Sequence, residues 1–196
     1  MARGAKKIMP VGDFNIAYDY REKNPSVILV GERHGEKLPG FDFGNSPSQI
    51  ETSDFTDKII VHTTSAGTQG IANATSADEI LSGSLVNAKA IARYIKNKNP
   101  ENVSLVCMGL DAIKQTPEDN LCAYYIKSLL EDNEMDLKPE IEKLRTTSGA
   151  KFFEADLQHI FPEKDYHLSV EANKFDFVLR LKKSDTDLDY MEKIDI

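Results

Sequence analysis

Short apolar runs rich in Val and Ile alternate along this chain with longer amphipathic stretches of helical period. That alternation narrows the fold more than any other feature, because strands buried on both faces need helices packed on them, the pattern of an α/β sheet. The spacing predicts strands over 6–10, 26–30, 58–62, 79–82 and 103–108. It predicts a helix over 85–97, with Leu85, Ala88, Ile91, Ala92 and Ile95 on one face, and another over 118–132, with Leu121, Cys122, Tyr125 and Leu129 aligned. Both faces are expected to cover the sheet. The polar stretch 138–150, with Pro139, Thr146, Thr147, Ser148 and Gly149, reads as a helix end and a loop within the domain. The charged stretch 182–196 reads as peripheral. With 196 residues, one domain over 1–196 is the expectation. No fixed-period repeat and no low-complexity tract is present.

Charge removes two partner classes. Lys and Arg number 24 against 32 Asp and Glu, a formal charge of -8, which repels nucleic acid and anionic membrane unless basic residues gather on one face; no basic stripe does so. The longest apolar runs, 27–30 and 59–61, are far below the roughly 20 residues that cross a bilayer. The cytoplasm is the expected compartment. Ala2, Arg3, Gly4, Ala5, Lys6 and Lys7 lead into a strand rather than into an export signal, and Cys107 and Cys122 form neither a disulfide framework nor a four-ligand metal set.

Three segments combine glycine, hydroxyl and charged residues at strand ends, where open α/β sheets place ligands. The first, 31–47, reads GERHGEKLPGFDFGNSP. Its glycines and prolines specify a shaped loop, in which Arg33 could clamp an anion through its planar fork and Asn45 and Ser46 could hydrogen-bond one. A surface loop whose Ser46 and Pro47 start a helix is the competing reading. The second, 62–70, reads HTTSAGTQG and precedes a short helical stretch at 71–73. Backbone amides with the hydroxyls of Thr63, Thr64, Ser65 and Thr68 suit phosphate, without the lysine of a P-loop. An ordinary hydroxyl-capped turn competes with this reading. His62 reads as a packed strand residue rather than a base.

The third segment, 116–123, reads TPEDNLCA. Thr116 at the N-cap, Pro117 in the first position and Glu118 and Asp119 in the first turn make a complete helix start. The two carboxylates could in addition hold a Mg²⁺ ion through oxygen ligands and water. Other motifs fail. Ile113 and Ser128 stand where a cysteine phosphatase needs Arg after Cys107 or Cys122. Asp185, Asp187 and Asp189 mimic a calcium loop, but Tyr190 and Ile196 occupy the places of its Gly and Glu. No Ser/His/Asp order, Rossmann fingerprint or zinc spacing emerges.

At these segments the chain resembles the 2-phosphosulfolactate phosphatase family, Mg²⁺-dependent acid phosphatases of coenzyme M biosynthesis. GERHGEKLPGFDFGNSP, TTSAGT, ADEILSGSLVNAKAIARYI and VSLVCMG followed by EDNLCA carry the resemblance. It covers the core, 1–135, well and the C-terminal part, 151–196, loosely. It implies an α/β fold, a homodimer, Mg²⁺, and hydrolysis of the phosphate ester of a small sulfonated hydroxy acid, 2-phosphosulfolactate to sulfolactate and phosphate. Matched to the family pattern, the substrate- or phosphate-binding candidates are Arg33, Asn45, Ser46, Thr63, Thr64, Ser65, Gly67, Thr68 and Asn87, and the metal candidates are Glu118 and Asp119.

The chain departs from that pattern in two places. Ala66 stands where the family has Asn, and the family's opening strand with its Asp, Arg, Ala, Thr motif has no counterpart ahead of ARGAKKIMPV. The nucleophile is therefore unassigned. A noncatalytic anion-binding or dimer-forming relative, and a phosphatase of a different small metabolite, are the competing functions.

Overall fold

The computed structural model describes residues 1–196, and the α/β class expected from the sequence is what it shows. The chain divides into two compact units, Met1–Ser82 with Leu179–Lys193, and Gly83–Val178 with Ile194–Ile196.

The first unit is built on a mixed sheet. Its elements run β1 (Lys7–Pro10), α1 (Phe14–Lys23), β2 (Ile28–Arg33), β3 (Glu36–Lys37), α2 (Pro47–Glu51), β4 (Ile59–Thr63), α3 (Gly67–Asn73) and β5 (Leu81–Ser82), and close with β6 (Phe177–Lys182) and β7 (Tyr190–Asp195). The strand order is β3-β2-β4-β1-β7-β6-β5. β1 and β2 flank β4 in parallel, with Met9 and Leu29 both opposite Val61, so three strands end at the same edge. Side chains alternate across the sheet. One face buries Met9, Leu29 and Val61 with Val11, Ala17, Val27, Leu38 and Phe41. The other buries Val30 and Ile60 with Ala5 and Phe55.

Two local devices shape the edge that matters below. Gly31 lies where a Cβ would stand 2.5 Å from the Thr63 carbonyl oxygen, so any larger residue would force β2 off β4. Beyond it, His34 (φ 55) and Gly35 (φ 87) both take positive φ between the paired residues Arg33 and Glu36. That two-residue turn matches the twist of the flanking strands. Asp13 starts α1 by accepting the Asn15 amide at 2.8 Å, the usual N-cap device.

The second unit is helical: a 3₁₀ turn at Leu85–Asn87, then α4 (Ala88–Lys98), α5 (Pro117–Leu130), α6 (Lys138–Arg145) and α7 (Glu163–Val170). α4 and α5 pack on each other through buried residues that include Ile91, Leu121, Tyr125 and Ile126, the faces that the sequence marks as apolar.

Three expectations are corrected. The run 103–108 joins no strand, because no neighbour supplies the ladder that a β segment needs for its backbone groups. Lys138–Arg145 is a helix, not a loop: Pro139 falls in its first turn, where proline removes no required hydrogen bond. The last residues are not peripheral, since β7 pairs with β1 at Ile8 and Met191, and Met191 is buried. No helix is long and apolar enough to cross a membrane.

Candidate functional site

The parallel strands β1, β2 and β4 end together, and the loops leaving them hold one another. Arg33, the last residue of β2, is half-buried. Its Nη1 donates to the Glu32 carbonyl at 2.7 Å, and its Nη2 donates to the Gly12 carbonyl at 3.0 Å and to Thr63 Oγ1 at 2.9 Å. Its guanidinium also lies 5.3 Å from the centre of the Phe14 ring, within cation–π range. Every partner of this cation is neutral. A guanidinium has five N–H donors, so this one keeps the Nε proton and one on Nη1.

Behind Arg33, the β4–α3 loop is folded on its own hydroxyls. The Thr64 amide donates to Thr68 Oγ1 at 3.0 Å and the Thr68 amide to Thr64 Oγ1 at 3.2 Å. The Ser65 amide donates to Glu32 Oε1 at 2.8 Å. Ala66 holds the N-cap position with no side chain to cap α3, and its carbonyl accepts from the Gln69 and Gly70 amides. These bonds use the Thr64, Ser65 and Thr68 amides but not those of Ala66 and Gly67. Gln69 Nε2 donates to the Gly12 carbonyl at 2.6 Å, so that oxygen serves both Gln69 and Arg33.

The structure thus brings together Arg33, Thr63, Thr64, Ser65, Gly67 and Thr68. Ser46 is buried at the start of α2, its Oγ 3.1 Å from Ser48 Oγ, and Asn45 is exposed. No hydrogen bond joins either of them to Arg33 or to the β4–α3 loop. Asn87 lies in the second unit with both ends of its amide in use: Oδ1 accepts from the Ser84 amide and hydroxyl, and Nδ2 donates to the Phe177 carbonyl.

Glu118 and Asp119 open α5, also in the second unit. Glu118 is exposed, whereas Asp119 Oδ2 accepts the Gly109 amide at 2.6 Å. Thr116 is the N-cap by backbone geometry, but its hydroxyl makes no cap bond. No group of three or more His, Cys, Asp or Glu forms a closed metal cage. Burial pushes the Cys122 thiol up to about 12, reinforced by Asp119 and Cys107, and burial also raises Cys107. Both shifts favour the thiol over the thiolate. The His62 ring has a buried Nε2 with no partner, and burial lowers its pKa to about 4 against a weaker opposing pull from Glu32. It stays a neutral packed residue, as the sequence reading has it.

Glu32, Gly12, Gln69 and Phe14 were not singled out from the sequence. For Glu32 a signal exists. It shares strand parity with the buried Val30, a signal that is usable once the strand is known to reach Arg33.

The comparisons with known proteins point to one family. The family model described as 2-phosphosulpholactate phosphatase matches residues 1–196. A protein of Caldicellulosiruptor saccharolyticus named probable 2-phosphosulfolactate phosphatase is 37% identical over 171 residues, covering 85% of this chain and 70% of that protein. One of the same name from Caldanaerobacter subterraneus is 31% identical over 193 residues, covering 91% of this chain and 79% of its own. Another from Bacillus subtilis is 29% identical over 185 residues, with 92% and 78% covered. With the family model matching the chain from end to end and relatives of that name matching most of it, the chain belongs to the 2-phosphosulpholactate phosphatase family, a family of phosphatases.

Proposed function

We propose that this chain hydrolyses a phosphate monoester, 2-phosphosulfolactate to sulfolactate and phosphate. The observation that carries the reading is Arg33, a half-buried guanidinium fixed by three neutral oxygens with donors to spare and no carboxylate paired to it. Phosphoryl transfer depends on positioning and charge neutralisation more than on a strong base. Arg33 supplies both, because the Gly12 and Thr63 oxygens hold the fork in place before substrate arrives. Water enters at phosphorus, the bond from phosphorus to the ester oxygen breaks, and the departing alkoxide takes up a proton to give the hydroxy acid.

Mg²⁺ dependence is part of this proposal. Mg²⁺ at phosphate sites commonly binds through one or two carboxylates and keeps several waters. Glu118 and Asp119, adjacent acids with one exposed, fit that kind of ion rather than a closed cage. When bound, it would supply positive charge. A homodimer is proposed as well, on the exposed apolar residues Val103, Val106, Leu110 and Ile113 of the second unit.

Phosphate release from 2-phosphosulfolactate and from a panel of other phosphate esters, with and without Mg²⁺, tests the activity. Arg33→Gln removes a charged donor set of the kind that contributes about 1.5–3 kcal/mol, so kcat/KM should fall roughly 10- to 100-fold. No turnover of any ester by the unaltered chain, or an Arg33→Gln variant as fast as the parent, would refute the reading.

A further inference from the structure

Glu32 is only 8% exposed and sits on the strand face that buries Val30 and Ile60. An ionised carboxylate there is costly unless its oxygens are fully met. They are met without any cation. Oε1 accepts the Ser65 amide at 2.8 Å, and Oε2 accepts the Gly35 amide at 2.8 Å and the Ser65 hydroxyl at 3.2 Å. The three donors belong to the two loops that bound Arg33, namely the His34–Gly35 turn and the start of the β4–α3 loop. On the opposite face of the same strand pair, Arg33 bonds Thr63 Oγ1. Two consecutive residues of β2 therefore grip the end of β4 from both sides, Arg33 at Thr63 and Glu32 at Ser65.

We propose that Glu32 is a positioning residue for phosphate binding. It locks the turn that follows Arg33 to the β4–α3 loop, so that the guanidinium meets the oxyanion in a fixed pose. It also withdraws the Ser65 amide and hydroxyl from the anion. This inference rests on the phosphatase reading for the identity of the anion. It differs from that reading in naming a carboxylate, which an anion would repel, as necessary to anion binding.

Inorganic phosphate is the probe, and its Kd is measured by NMR titration for the unaltered chain, Glu32→Gln, Arg33→Ala and the double variant. Glu32→Gln keeps the shape but replaces one acceptor oxygen by an NH₂ that faces N–H donors. It should weaken phosphate about tenfold, roughly 1.4 kcal/mol, and shift the Gly35 and Ser65 amide resonances in the absence of ligand. Acting through Arg33, it should cause no further loss in the Arg33→Ala background. An additive loss, or an unchanged Kd in Glu32→Gln, would overturn the proposal.

If Glu32→Gln does not fold, Ser65→Ala, which deletes the hydroxyl bond to Glu32 at 3.2 Å and the longer bond that the same hydroxyl accepts from the His34 amide at 3.3 Å, carries the same cycle with an effect of about two- to threefold. Turnover is scored separately. A chain that binds phosphate with this coupling but hydrolyses no ester would refute the activity and leave the Glu32 role standing.

Discussion

The side-chain amide of Gln69 and the guanidinium of Arg33 converge on one acceptor, the Gly12 carbonyl, at 2.6 and 3.0 Å. Gln69 thus fixes the β1–α1 loop on which Arg33 rests. Gln69→Ala should cost about 1 kcal/mol in denaturant unfolding, the net worth of one hydrogen bond, and weaken phosphate a few-fold. Gly12→Ala should do the same by a different route, since its Cβ would stand 2.8 Å from Gln69 Oε1 and swing that amide away. Unequal effects of the two variants would show that the loop is held by something other than this bond.

His62 gives the stability a pH dependence of known sign. Its folded pKa of about 4 lies below the ordinary 6.5, so between those values the unfolded chain binds the extra proton. The contribution is complete above pH 6.5 and is lost as pH falls toward 4, by at most about 3 kcal/mol. Measured at pH 7, 5.5 and 4.5, the unfolding free energy of the parent should fall relative to that of His62→Leu as the pH falls. Parallel curves would mean that the ring is charged or solvated in the folded state.

Val106 is 75% exposed and Ile113 90% exposed, on a stretch whose backbone joins no strand. If this stretch mediates the proposed homodimer, Val106→Lys should convert dimer to monomer in sedimentation analysis while leaving the circular dichroism spectrum unchanged. A parent chain that already sediments as a monomer would remove the dimer.

Asp119→Asn keeps an acceptor for the Gly109 amide but discards a charge. Mg²⁺ affinity by calorimetry should drop about fivefold to tenfold, with α5 intact, because hard cations favour anionic oxygen. Unchanged affinity in both Asp119→Asn and Glu118→Gln would confine the pair to starting the helix.

Much of the fold was legible because period and parity are local. β1, β4, α4 and α5 emerge within a few residues of where the apolar pattern puts them. The errors came where structure depends on remote partners. The stretch 103–108 has the composition of a strand, yet a strand is defined by a neighbour, and none is paired to it. Conversely, β7 reads as a charged tail because only Met191 of its residues is buried, and its place beside β1 follows from a pairing across almost the whole chain. At the site, Arg33 and Thr63 stood out by residue type and position at strand ends. Glu32 did not, because a carboxylate between Gly31 and Arg33 reads as surface until the strand is seen to run on to Arg33.

The pairing of Ile8 with Met191 also bears on how the chain acquires its form. The first unit is assembled from Met1–Ser82 and Leu179–Lys193, so its sheet cannot be completed until the last stretch has left the ribosome. Contacts of such long sequence separation form slowly. Meanwhile β1 presents an open ladder edge, the kind of surface on which nascent chains stick to one another. The second unit takes only Ile194–Ile196 from beyond Gly83–Val178, so most of it is free to fold first. Refolding should therefore be biphasic, with an early helical phase and a late phase that grows in amplitude when β7 is weakened.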